Sequence, residues 1–131
     1  MKGYEYVKLY LKNEGIDYEE TGNYISFWDG DSHFLAKKED HPSSLTLMIV
    51  CFKTKDLPHS MTEILKLCND FNVSAPLRKF CVIQEETIVC ILQTNDCRLD
   101  DYEGVAAVEL AKIMLLNGSS SFLNRLKETW K

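Results

Sequence analysis

Apolar positions along the chain recur with two periods, and the switches between them mark out the elements. Val7, Tyr10 and Leu11 recur at helical steps, with Glu14 on the same stripe and Gly15 following. This predicts a first helix of about three turns closed by a left-handed glycine. Tyr24-Ile25-Ser26-Phe27-Trp28 and His33-Phe34-Leu35-Ala36-Lys37 are rich in aromatic and β-branched residues and flank Asp29-Gly30-Asp31, the pattern of a β-hairpin. A polar loop, Asp40-His41-Pro42-Ser43-Ser44, leads into Leu45-Thr46-Leu47-Met48-Ile49-Val50-Cys51-Phe52. From Leu47 onward this run is apolar on both alternations, which predicts a central strand covered on both faces.

Ser60-Met61-Thr62-Glu63 has the capping-box pattern and predicts the start of a second helix, whose stripe is Met61, Ile64, Leu65, Cys68 and Phe71. Pro76 closes it. Two further strands, over 79–84 and 87–93, are joined by Glu85-Glu86. A turn symmetric about those glutamates sets Cys81 opposite Cys90, within cross-strand reach. The last third predicts a helix from about Asp101 to Leu116, opening near Leu99-Asp100-Asp101-Tyr102 with acidic residues at the positive end of the helix dipole. Asn117-Gly118 interrupts it, and Phe122, Leu123, Leu126 and Trp130 form a final amphipathic turn or two. Together the elements give an α+β fold for residues 1–131 as a single domain: a five-stranded antiparallel sheet with helices packed on it, in the order α-β-β-β-α-β-β-α.

With 131 residues, 45% hydrophobic and 27% charged, the chain is of ordinary globular composition. Fifteen basic against 20 acidic residues give a net charge of -5, which disfavours a general nucleic-acid module. Recruitment of Lys37, Lys38, Lys53, Lys55, Arg78 and Lys79 to one face would be needed to reverse that. No stretch is apolar for the roughly 18 to 20 residues a bilayer demands, so no membrane partner is expected. Four of the five cysteines, Cys51, Cys68, Cys81 and Cys90, lie in apolar runs, which points to buried thiols in a reducing cytoplasm.

Chemistry-bearing patterns are few. No C-x-x-C occurs, and His33, His41 and His59 are scattered, so neither a metal nor another cofactor is expected. Phosphate-binding glycine loops and nucleophile elbows are missing too, and the chain reads as a non-enzyme. Asp29 and Asp31 belong to a hairpin turn rather than a calcium loop. Cys97, beside Arg98, stands in a polar segment, but Asp96 and Asp100 oppose ionisation of its thiol.

Leu67-Cys68-Asn69-Asp70-Phe71-Asn72, before the second hairpin, is similar to the way YbjN-like proteins end their middle helix. Element order and length extend that resemblance from Tyr4 to Trp130. It implies the fold of type III secretion chaperones and a role in holding protein segments or in regulation. Read from the residues alone, Asn69 and Asn72 are helix-end caps.

The helix over 101–116 is apolar nearly all round, so one flank must cover the sheet and the other needs a second cover. The chain's own last segment supplies that cover in one reading. A two-fold homodimer supplies it in the other, through Val105, Val108, Met114 and Leu115, as the resembling chaperones pair. A non-catalytic module binding a protein client through a sheet edge or apolar groove is the leading functional expectation. Tyr24, Trp28 and Phe34 are its candidate contact residues, with core packing as their alternative role. The competing expectation is a small ligand-binding regulator or enzyme, with a polar pocket between sheet and helices that collects His33, His41 or Cys97.

Overall fold

The computed structural model describes residues 1–38, 44–74 and 77–128. The expected loop around His41 and Pro42, the helix-closing Pro76 and the terminal Trp130 lie outside those residues. In chain order the elements are α1 (Gly3–Glu14), β1 (Tyr18–Glu20), β2 (Tyr24–Asp29), β3 (Ser32–Lys37), β4 (Leu45–Lys53), α2 (Met61–Ser74), β5 (Arg78–Ile83), β6 (Thr87–Thr94), β7 (Arg98–Leu99), β8 (Tyr102–Glu103) and α3 (Val105–Glu128).

Six strands form one antiparallel sheet in the order β1-β2-β3-β4-β6-β5, and β7 pairs with β8 in a separate ribbon. The α+β class and the antiparallel sheet are as expected, with six strands in place of five. The added strand, β1, is an exposed Tyr-Glu-Glu edge. Its lack of apolar alternation hid it, and such polarity protects a sheet edge from further pairing. β7 and β8 replace the expected opening of the last helix. Asp96, Cys97, Asp100 and Gly104 all take left-handed φ values there, so the helix begins only at Val105.

Caps bound the first two helices as expected. The Gly15 N–H, at φ 69°, bonds back to Leu11 and Lys12, which closes α1. Ser60 and Glu63 bond reciprocally: the Ser60 N–H donates to Glu63 at 2.9 Å and the Glu63 N–H donates to Ser60 Oγ at 3.2 Å. Those bonds also hold the Glu63 carboxyl below the usual carboxylate range.

All three helices pack on one face of the sheet. Along that face run Phe27, Phe34, Ile49, Cys90 and Phe80 as one cross-strand row, and Ile25, Ala36, Leu47 and Leu92 as the next. α1 and α3 meet β4, and α2 meets β5 through Phe71, which lies 5.2 Å from Phe80. Phe122 of α3 completes this aromatic group at 4.6 Å from Phe80 and 5.3 Å from Phe71. Each such pair adds about 0.5–1.5 kcal/mol beyond burial of its area.

β4 is central, as its apolar run predicted, but no helix among the described residues lies over its second face. Asn72 also departs from expectation. It lies inside α2, and its side chain grips the Phe80 backbone of edge strand β5, accepting from the N–H at 2.6 Å and donating to the carbonyl at 2.9 Å. An unpaired strand edge offers such groups, and one amide satisfies both.

Register corrects the cysteine pairing. Three residues, Gln84–Glu86, make the connection, with left-handed Glu85 and Glu86, so Cys81 opposes Val89 and Phe80 opposes Cys90. One residue of slip moves a side chain to the other face, so Cys81 and Cys90 point apart and both are free.

The last helix is unbroken through Asn117-Gly118. Its buried stripe is Ala107, Val108, Ala111, Leu115, Gly118, Phe122 and Leu126. Glycine inside a helix costs about 1 kcal/mol relative to alanine. At 118 that cost is offset by close approach, because a Cβ would stand 3.2 Å from Arg78 Nη1 and 3.5 Å from Cys90 Sγ. Arg78 uses the space to donate to the Met114 carbonyl at 3.0 Å. Replacing Gly118 with Leu is expected to lower the melting temperature by on the order of 5 °C, while Asn117→Ala, on the exposed side, leaves it unchanged or slightly raised. Thermal unfolding of the two variants checks this; equal behaviour would contradict the close contact.

Candidate functional site

The second face of the sheet is the surface on which the chain presents apolar groups without a helix over them. Its rows follow from the strand register. Trp28, His33, Val50, Val89 and Cys81 are neighbours in one row, and Glu19, Ser26, Leu35, Met48, Ile91 and Lys79 in the next. Neither Met48 nor Val89 belongs to the helix-side core, although both are buried.

Between the middle strands this face hollows into a trough of about 740 Å³. Leu35, Met48 and Ile91 line it together with Tyr24, Lys37 and Thr46, while Ile83 and Gln84 come from the end of β5 and its turn. A smaller hollow of about 390 Å³ shares Ile91 and Gln93 with the trough and extends it to Leu77 and Lys79 at the β5 edge. The same alternation that sends Leu47, Ile49 and Leu92 into the core sends Met48 and Ile91 here.

Of the three expected contact residues, the structure brings two to this face. Tyr24 is half-buried in the trough wall. Trp28 is 58% exposed and stacks on His33 with ring centroids 4.6 Å apart. Phe34 is fully buried on the helix side, stacked on Phe27 at 5.2 Å, and offers nothing to a partner. Leu35, Met48 and Ile91 were missed because sequence alternation does not say which face of a sheet the helices choose.

The residues named for pairing through α3 are mostly internal. Val108 and Leu115 are fully buried in the protomer's own core, and Val105 and Met114 are half-buried against it. The outer side of α3 carries Ala106, Glu109, Ile113, Asn117 and Ser120. Most of the helix's apolar circumference is therefore covered within the chain, with α1 as its second flank.

Little on the surface is arranged for covalent chemistry. Burial pushes the Cys51 and Cys68 thiols up to about 11 and Cys90 to about 12, and it raises Cys81 and Cys97 as well. Cys97 is buried rather than set in a polar surface. Ser26 Oγ and His33 Nε2 share a hydrogen bond of 2.7 Å, but among the described residues no carboxylate meets the other ring nitrogen to orient it. Neither the trough nor a separate cavity of about 600 Å³ beside β1 and β2 is lined by His33 or Cys97. No cluster of three or more metal-ligating side chains occurs among the described residues, and none of the helices there is long and apolar enough to cross a membrane. Three of the basic residues considered for nucleic acid are drawn to separate partners: Lys38 to Glu20, Lys53 to Glu85 and Arg78 to α3.

These features define an α+β protein with a one-sided antiparallel sheet, helices on one face and an apolar trough on the other. The crystal structure of YbjN, described as a candidate transcription regulator from E. coli, superposes with a TM-score of 0.52 at 12% identity, covering 95% of this chain and 87% of that one. The chain has a YbjN-like fold. No family model and no curated protein matches the sequence.

Burial lowers the pKa of His33 and so favours the neutral ring that stacks on Trp28. A folded-state value below the unfolded one, about 6.5, means stability that is intact above that pH and is lost as pH falls through the folded-state value. His33→Gln is expected to flatten the unfolding free energy between about pH 7 and 5 relative to the parent, measured by denaturant titration. Identical pH profiles would show that the ring titrates alike in both states.

Proposed function

We propose that this protein is a non-catalytic binding module of regulatory type that holds a protein segment on the open face of its sheet. The observation that supports this most directly is the apolar trough of Tyr24, Leu35, Met48 and Ile91, with exposed Trp28 on the adjoining row. Uncovered apolar surface of this kind is unfavourable in water at roughly 25 cal/mol per Å², so covering it with a partner returns free energy. Aromatic anchors beside such a hollow are the usual source of interface energy. The description of YbjN as a candidate regulator fits a protein acting through contacts rather than catalysis. Elevated thiol pKa values and an unsupported Ser26–His33 pair favour the same reading over an enzyme. A homodimer through α3 would have to use Val105, Ile113 and Met114, since Val108 and Leu115 are already buried.

The test compares the parent chain with Trp28→Ala and Leu35→Glu for binding to a peptide library. Each variant is expected to lose roughly tenfold or more in affinity for peptides the parent selects, with Trp28→Ala keeping its melting temperature. Retention of the same peptides at parental affinity by both variants would refute the assignment.

A further inference from the structure

We propose that the cavity of about 600 Å³ beside β1 and β2 is a binding site for a guanidinium group, carried by a small arginine-like molecule or by an arginine of a protein segment. The cavity adjoins the open face and shares Trp28 with it, but its chemistry does not depend on a segment lying in the trough. Its walls combine the aromatic residues Tyr18 and Trp28 with three carboxylates, Asp17, Glu19 and Asp29. No basic residue lines it among the described residues.

Both walls are held by contacts already formed. Gly15 closes α1, and the Ile16 N–H donates to the Leu11 carbonyl at 2.9 Å, which fixes the backbone leading into Asp17 and β1. On the facing wall His33 of β3 stacks on Trp28 at 4.6 Å and shares a hydrogen bond of 2.7 Å with Ser26 Oγ. β2 lies between β1 and β3 in the sheet. His33 therefore covers the indole from the β3 side, while the cavity lies on the β1 side of a Trp28 that is 58% exposed.

The carboxylates differ in their commitments. Asp29 pairs with Lys112 of α3, and Glu20, next to Glu19 in the chain but outside the cavity wall, pairs with Lys8 and Lys38. Asp17 and Glu19 have no ion pair among the described residues. Two uncompensated negative charges thus stand beside an aromatic platform, in a chain whose net charge of -5 already draws cations toward it.

A planar guanidinium answers both features at once. Its face stacks on an indole while its edge donates paired N–H bonds to carboxylates. A compact, strongly hydrated ammonium serves as a point charge only, without that fork. A metal ion is not favoured, because no group of three or more metal-ligating side chains occurs among the described residues.

The experiment titrates the full chain with acetyl-arginine amide, its lysine and citrulline counterparts, and an otherwise uncharged peptide carrying one arginine. NMR shifts of the Trp28 indole N–H and the Glu19 and Gly30 amides report on the cavity. The arginine amide is expected to shift them saturably and to bind at least about tenfold more tightly than the neutral citrulline compound, with the lysine compound in between. Asp17→Asn combined with Glu19→Gln should weaken arginine binding by about tenfold, and Trp28→Ala by several-fold, with the melting temperature of the double variant kept. A peptide that binds more tightly than the arginine amide and also shifts the Leu35 and Met48 methyls makes a protein segment the source of the guanidinium; equal binding of the two makes the source a small molecule. Equal binding of the citrulline or lysine compound, unchanged arginine binding in the double variant, or no saturable shift up to about 10 mM would each overturn the proposal. The double variant leaves the trough residues untouched, so its failure is separable from failure of the protein-segment reading.

Discussion

Two-residue alternation along β4 from Leu45 to Val50, ahead of a break in register between Val50 and Phe52, is the constraint from which the rest of the molecule follows. A strand in the middle of a sheet sends successive side chains to opposite faces, so its apolar residues can all be covered only if both faces are. Here the helices gather on one side. Leu47 and Ile49 join the core under α1 and α3, while Met48 and Val50 are delivered to a face shared with Leu35, Val89 and Ile91. The apolar content that makes β4 easy to recognise also leaves the protein with surface suited to a partner.

Several local devices keep that division in place. Gly118 lets α3 lie close to β5 and β6, and Arg78 fastens the contact to a helix carbonyl. Asn72 occupies the exposed backbone of β5, and Lys112 of α3 pairs with Asp29 at the tip of the β2–β3 hairpin. The charged edge at β1 is held by Glu20, which meets Lys8 of α1 at 2.9 Å and Lys38 at 2.7 Å. Each tie secures the sheet on the helix side or at its borders, and among the described residues no helix lies on the opposite face.

Much of the architecture could be read from residues because its signals are local. The Ser60–Glu63 box, Gly15 and the Asp29-Gly30 turn act within a few residues, and each appears where its chemistry requires. Features set by tertiary packing were not legible. Asn117-Gly118 has the composition of a break but is helical, because the gain is a contact with Arg78 and Cys90, distant in sequence. The Cys81–Cys90 opposition failed by one residue, since two consecutive left-handed glutamates are not a pattern that composition announces. Aromatic type did not separate the three candidates: Tyr24 is half-buried and Trp28 exposed on the open face, whereas Phe34 belongs to the other alternation and is core. Which face lies open depends on where three helices dock, a long-range outcome.

That helices among the described residues cover one face of this sheet and leave the other uncovered is tested most directly by solution NMR with a soluble paramagnetic probe. Relaxation enhancement should be strong at the methyl groups of Leu35, Ile83 and Ile91 and weak at Ile25, Ile49, Ile88 and Leu92, alternating residue by residue between Ile91 and Leu92. Uniform protection of both sets would contradict the account.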